Sequence, residues 1–404
     1  MSFLHGYVKP PTNVDAGLKG VTGGSTREYP QRGLRTRGAV LANPLARCDA
    51  AAHRNCVVRA EVVASFMRQL LKDFVCHAVS WAGLMPAVRS LFAGRAAIIL
   101  FHEIQRDFRS ELATGTSISL FEYSLNWLRR EGWEIVSLEE CLERLFSNDR
   151  SHRYAVLTFD DGYRDNVLVA LPILERHNAP FLMYVPTGAP TRTLQAWWLG
   201  LRELFRSRDY VTVDAMDTRF HCPNFQAKVS ALVRTTQWIH EDYHRATMLA
   251  PTFHKAGVSL SALNDAYFLD EGEIQVLSQH PLASIGGHTT SHSALTTLDA
   301  SSARAEMADN RNYLQNLIQL PVRHIAYPYG DLKACGPREE HLASDVGFWT
   351  AVTTRPGQLD ALHLNHFAIP RLSVGHFDSE ISFQARMSGL QRAFHMRLRD
   401  HRAA

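Results

Sequence analysis

Two short stretches of the chain hold residues that could do chemistry. In the first, Thr158-Phe-Asp-Asp-Gly162, two carboxylates follow the apolar run "YAVL". Neighbouring strand residues point to opposite faces, so Asp160 and Asp161 cannot share one environment. A buried carboxylate is costly unless it is paired or metal-bound. The second stretch is Gly287-His288-Thr-Thr-Ser-His292. Its histidines are spaced i and i+4, so one helical turn would set both rings on one face. Two imidazoles and a carboxylate suit Zn²⁺ or a related divalent ion in an open site. The stretches complement each other: the histidines need an anionic ligand and the aspartates need a cation.

Strand ends must position both stretches. From about residue 95 the chain alternates strand and helix: "RAAIILFHEI", a helix, "EIVS", a helix, "YAVLTFDDG", a helix, then "APFLMYVPTG". Residues 191–270 interrupt this rhythm with a mostly helical insertion that begins "QAWWLGLRELF". Strand "ASIGG", a helix, "RHIAYPYGD", "GFWTAVTT" and "HFAIPRLSV" follow. Such alternation predicts a parallel sheet, and a barrel carries its chemistry at the strand C-termini. His102, the aspartate pair and the histidine pair all fall there.

The remainder bounds the function. The 404 residues are 46% hydrophobic and 21% charged, a globular composition. A net charge of +3 gives nucleic-acid binding no support. The six cysteines form no CxxC motif, which predicts reduced thiols. No apolar run reaches the roughly 18 residues of a membrane span. The N-terminus lacks a charged-then-apolar secretory pattern. Together these predict a cytoplasmic chain. Residues 1–66, rich in Gly, Pro, Thr and Arg, read as a disordered leader, with Met67 as an alternative start. Residues 67–94 read as a basic amphipathic helical segment, with 67–93 able either to lie on the inner membrane face or to pack on the main domain. The main domain is expected over 95–380 and a helical tail over 381–404.

In this order the motifs resemble the polysaccharide deacetylases of the NodB-homology type, carbohydrate esterase family 4. "TFDDG" matches the first family motif, "HTTSH" the second and "AYPYGD" the third, while "GFWTAVTT" and "IPRLSV" resemble the exopolysaccharide-type branch. The resemblance covers roughly residues 95–375. It implies an α/β fold, a distorted (β/α) barrel. It also implies a metal-dependent hydrolase that removes N-acetyl groups from an amino-sugar glycan or its lipid- or nucleotide-linked precursor. Asp161, His288 and His292 become metal ligands, for Zn²⁺ first and Co²⁺, Ni²⁺ or Mn²⁺ as alternatives. Asp160 becomes the general base toward a water acidified by the metal, and a nearby cation should keep it ionised. The backbone amide of Tyr329 becomes the donor to the tetrahedral oxyanion.

The match departs at two places. Ala326 stands where better-known members carry an arginine that holds the catalytic aspartate. Arg371 is the candidate substitute, or else a strand-end arginine paired with a surface acid. The family's Leu-x-His general acid has no clear counterpart. His376 lies nearby with different spacing, and His102 could line the site or protonate the leaving amine. Pro328, Gly330 and Trp198 are expected to line the substrate cleft. Trp197 and Trp198, being adjacent, cannot share a helix face, so at least one should pack in the core. Two other readings stay open: a deformylase or O-deacetylase on the same site, and a catalytically weak carbohydrate-binding protein.

Overall fold

The computed structural model describes residues 78–390 apart from 80, 106–111, 113–114, 147–150 and 361–363. The expected leader, most of the 67–94 segment and the end of the tail lie outside the described residues, as do Cys48, Cys56 and Cys76. Cys141, Cys222 and Cys335 are free and buried.

Helix α1 (Met85–Phe92) leads into β1 (Ala96–Phe101), the two-residue strands β2 (Ile104–Gln105) and β3 (Thr116–Ser117), and helix α2 (Ile118–Arg130). Strand β4 (Trp133–Ile135), helix α3 (Leu138–Leu145) and β5 (Arg153–Phe159) follow. A π-helical turn (Asn166–Ala170), α4 (Leu171–Arg176) and β6 (Phe181–Val185) come next. The insertion holds α5 (Trp197–Ser207), β7 (Tyr210–Val213), β8 (Thr218–His221), α6 (Phe225–Glu241), α7 (Ala250–Lys255) and α8 (Leu260–Tyr267). Then come α9 (Glu271–Ser278), β9 (Ala283–Gly287), α10 (Ala300–Ile318), β10 (His324–Ala326), α11 (Pro337–Val346), β11 (Thr350–Pro356), β12 (Ile369–Ser373) and α12 (Glu380–Met387).

Seven parallel strands close a ring in the order β1, β12, β11, β10, β9, β6, β5 and back to β1. The short β4 pairs with the start of β5 (residues 153–155), whereas β6 pairs with its end (157–159), both along the edge opposite β1. Strands buried on both faces carry unbroken apolar runs, and "AAIILF" and "FLMYV" are buried at every position.

Strand alternation sorts these residues into two cores. Ile98, Tyr154, Val156, Leu182, Tyr184, Val352 and Ile369 pack together with Leu138, Cys141 and Leu145 of α3. The ring therefore has a filled interior, and α3 caps its lower end, where Arg95 Nη1 donates to the Leu145 carbonyl (2.8 Å). The alternate residues, among them Ile99, Phe101, Leu157, Phe159 and Phe181, face the outer helices. Phe121 of α2 sits edge-on to Phe101 (5.1 Å between centroids) and Phe159 (5.9 Å).

The insertion's helices are joined by an antiparallel hairpin of β7 and β8. "YVTV" is β-branched and aromatic, which favours a strand, and Asp217 turns the chain in the left-handed region (φ 47°). The helix expected over 67–93 is interrupted within its described part: Gly83 takes φ 65° and α1 starts only at Met85. Among the described residues no helix is long and apolar enough to cross a membrane.

Phe121 is fully buried in the aromatic cluster that docks α2 onto the ring. Phe121→Ala should lower the free energy of unfolding by about 3–5 kcal/mol, read as a lower urea midpoint at unchanged slope. A loss below 1 kcal/mol would mean that the cluster does not hold the helix.

Candidate active site

Alternation along β5 turns Tyr154, Val156, Thr158 and Asp160 into the ring. The Asp160 amide still bonds the Phe101 carbonyl of β1 (3.0 Å). The next two residues leave the strand geometry: Asp161 has φ 73° and Gly162 φ 70°. This left-handed pair, costly for a residue bearing a side chain, turns Asp161 away from Asp160 and onto the rim.

Asp160 meets Arg371 from β12 in a bidentate contact, Nη1 to Oδ1 and Nη2 to Oδ2, both 2.7 Å. The remaining guanidinium donors reach the Thr353 carbonyl (2.9 Å) and Thr158 Oγ1 (3.3 Å), and its carbon lies 5.6 Å from the Tyr184 ring centre. Arg371 is wholly buried, so its pairing with a surface acid is excluded. Burial alone would push the Asp160 carboxyl up. The charges of Arg371 and His288 outweigh it and hold the group below the ordinary carboxylate value. Arg371 is thus the positive charge that the chain itself sets beside Asp160.

Asp161 Oδ1 lies 3.4 Å from His288 Nε2 and 3.2 Å from His292 Nε2. The three ligand atoms fall within 4.8 Å of one another. Bonds of about 2.1 Å to a tetrahedral ion would set its ligands about 3.4 Å apart, close to the two aspartate–histidine distances. Asp161 Oδ1 is buried with no hydrogen-bond partner, a state that a bound cation would relieve. His288 Nδ1 donates to the Ala326 carbonyl (2.7 Å), which leaves the Nε2 lone pair facing Asp161. The donor set therefore fits a divalent metal. Burial would raise the Asp161 carboxyl, but the two imidazoles hold it well below its ordinary value. Burial also opposes charge on the imidazoles; it prevails at His292, beside His288, and is overridden by the aspartates at His288.

The histidines do not sit on a helical turn. Their segment is a loop with Thr289 at φ 62° and His292 at φ 57°. Helix α10 imposes this shape. Asn310 accepts from the His288 amide (3.1 Å) and donates to the carbonyls of Thr289 (2.6 Å) and Val185 (3.0 Å). One turn earlier, Glu306 accepts from the amides of Thr290 (2.9 Å) and Ser291 (2.8 Å). The glycines before the loop make room for this arrangement. A Cβ on Gly287 would stand 2.4 Å from Asn310 Oδ1, and one on Gly286 2.5 Å from Tyr184 Cδ1. Asn310 and Glu306 escape a motif search, yet a signal existed. Asn310 interrupts the buried stripe Ala303, Met307, Leu314, Ile318 of α10, where a lone polar side chain needs partners.

The other expected residues divide. His102 is near enough that its charge lowers both aspartates. Tyr329 follows β10 with φ 61°, and Gly330 with φ 65° sits where a Cβ would meet Thr354 N at 2.5 Å. The Tyr329 ring lies 5.0 Å from that of His292. Pro328 is buried beside it. Trp198 is partly exposed, with its ring 4.8 Å from His292, while Trp197 is buried. His376 lies on the segment after β12 with its ring against Phe377.

Asn310→Leu would leave the His288 amide without its partner and take one donor from the Val185 and Thr289 carbonyls, of which Thr289 keeps the Thr187 amide (3.1 Å). At about 1–3 kcal/mol for a buried group that loses its partner, a loss of about 1–3 kcal/mol in unfolding free energy is expected. Stability within 0.5 kcal/mol of the parent in denaturant titration would mean that Asn310 does not hold the loop.

The chain is similar to several known proteins. A family model described as polysaccharide deacetylase matches residues 232–337, which include His288, His292 and Tyr329 but not the aspartates. YxkH of Bacillus subtilis (strain 168), a candidate polysaccharide deacetylase, is 21% identical over 267 residues. That match takes in 64% of this chain, and the chain spans 64% of the relative's length. Among solved structures, the Streptococcus pyogenes deacetylase PplD in complex with acetate is 19% identical at a TM-score of 0.49, covering 73% of this chain and 99% of its own. IcaB from Ammonifex degensii is 17% identical at 0.45, covering 73% and 97%.

Proposed function

We propose, from the premise that the chain belongs to the polysaccharide deacetylase family of the NodB-homology type, that it removes N-acetyl groups from an amino-sugar glycan with the aid of a divalent metal. The observation that carries this reading is the convergence of Asp161 Oδ1, His288 Nε2 and His292 Nε2 beside an arginine-held Asp160. Asp161, His288 and His292 would hold the ion, with zinc our choice on the strength of the donor set. When bound, such an ion supplies Lewis-acid polarisation of an amide carbonyl and a more acidic water.

The chain's own groups do the rest. Asp160, kept ionised by Arg371, accepts the proton of the attacking water as general base. Its bidentate contact fixes the direction of that acceptance. The Tyr329 amide, on its left-handed turn, donates to the developing oxyanion. His102 lines the site and is our candidate to return a proton to the leaving amine, and Pro328, Gly330 and Trp198 border the sugar. We place the substrate among polymers or lipid- or nucleotide-linked precursors of surface polysaccharide synthesis, met in the cytoplasm or at the inner membrane face. Arg371 supplies the charge that Ala326 lacks, so no observation favours a glycan-binding protein without turnover.

Asp161→Asn should chiefly cost metal, whereas Asp160→Asn should keep metal and lose turnover by about 10²–10⁴-fold. Metal analysis together with acetate release from an N-acetylglucosamine tetramer separates the two. An O-acetylated glycan run in parallel tests the ester alternative. Wild-type protein that neither binds divalent metal nor releases acetate would overturn the reading.

Arg371→Met gives a pH test. With the counter-charge removed, burial is opposed by His288 and His102 without the guanidinium, and the Asp160 carboxyl moves up. Fewer molecules are then ionised at a given acidic pH, so the acid limb of kcat/KM should move to higher pH. An unmoved limb would remove Arg371 from this role.

A further inference from the structure

We propose that α5, the first helix of the insertion, is a clamp that positions the site by binding three strand-end loops at once. The inference rests on the deacetylase reading for its kinetic test alone. Trp197 Nε1 donates to Tyr329 Oη on the loop after β10 (2.9 Å). Trp198 Nε1 donates to Tyr163 Oη on the loop after β5 (2.7 Å). One turn further, Arg202 Nη1 meets both carboxylate oxygens of Glu103, the residue after His102 at the end of β1 (2.9 and 2.7 Å).

Each anchor lies next to a site residue. Tyr163 is two residues past Asp161, and Glu103 adjoins His102. Tyr329 bears the amide assigned to the oxyanion. The adjacent tryptophans, which cannot share a helix face, reach two different loops instead. The Tyr329 ring is also held by Tyr243 at 4.3 Å, from the segment after α6, so a second piece of the insertion grips the same turn. Glu103 and Arg202 are buried, 2% and 5% exposed, and Arg202 lies 4.7 Å from the Tyr267 ring centre at the end of α8.

The loops need such a restraint. Asp161, Gly162, Tyr329 and Gly330 are all left-handed, a region that side chains disfavour and that persists only when the surroundings over-determine it. The ring itself reaches the Tyr329 turn through Thr354 of β11, whose amide donates to the Gly330 carbonyl (3.1 Å) and whose hydroxyl donates to the Tyr329 carbonyl (2.5 Å), and the helix adds the side-chain anchors. A misplacement of about 1 Å at such groups can cost on the order of 100-fold in rate, so the clamp should act on kcat.

The test uses the full chain loaded with zinc and the N-acetylglucosamine tetramer. Trp197→Phe keeps an aromatic ring and removes one donor, and Tyr329→Phe removes its acceptor while keeping the backbone. Each should lower kcat about tenfold with KM and zinc content held, and the double variant should fall no further than either single one. Phe383→Leu, buried in α12 against Trp127 of α2 and outside the insertion, should lower the melting temperature without changing kcat. Single variants with wild-type kcat, or a double variant whose loss is the product of the singles, would overturn the clamp. If wild-type protein releases no acetate, the functional reading fails, and amide hydrogen exchange judges the clamp by itself. Faster exchange over residues 329–331 in Trp197→Phe supports the clamp, and unchanged exchange there refutes it.

Discussion

The buried contact between Asp160 and Arg371 is the constraint on which the site depends. The two residues are 211 positions apart and sit on β5 and β12, the strands that flank β1 in the ring. Forming the pair therefore requires the ring to be closed with β1 in register with both neighbours. A buried ion pair adds little stability in itself, because desolvation offsets the attraction, but breaking it strands a charge and is strongly destabilising. That asymmetry makes the pair a lock. The guanidinium is further satisfied by the Thr353 carbonyl, Thr158 Oγ1 and the face of Tyr184, and Tyr184 fits only because residue 286 is a glycine.

How much of this was legible in the sequence depends on the distance over which each signal acts. The parallel ring was readable, because strands buried on both faces write themselves as apolar runs such as "AAIILF". The inward direction of Asp160 followed from alternation along "YAVLTFD". The histidine pair was visible from its residue types, but its conformation was not. Spacing i and i+4 suggests a helical turn, whereas Asn310 and Glu306, side chains of a helix that follows the loop, together with the amides of Thr187 and Gly188, hold it in the left-handed shape instead. The glycines of "SIGG" carried a trace of this, since both are cradles for side chains from other elements. The hairpin of the insertion was obscured by the longer helical patterns on either side.

Ala326 shows why a motif departure need not be a functional one. Loss of an arginine at that position removes a side chain, not the position's part in the site. The Ala326 carbonyl still accepts from His288 Nδ1 and so sets which imidazole nitrogen faces Asp161. The positive charge beside Asp160 comes from another strand, where Arg371 approaches it from within the ring. A sequence comparison taken motif by motif records a gap, whereas the three-dimensional arrangement keeps both functions with different backbone origins.

The adjacency of the two aspartates follows from the geometry of a strand end. A ring interior can offer an arginine a dry, fully coordinated place, which suits a carboxylate that must stay ionised without binding the ion. The rim can gather imidazoles from the next loops, which suits a ligand. One residue of chain, turned through the left-handed region at Asp161, separates these two environments. Both groups are pushed up by burial and pulled down by positive charge: at Asp160 the permanent guanidinium of Arg371 leads, with His288 and His102 adding to it, whereas at Asp161 imidazoles act without a guanidinium. Because the guanidinium does not titrate in the working range, Asp160 keeps its charge whether or not the rim is occupied. In the proposed reaction Asp160 would then be ready as base before the ion and the substrate arrive.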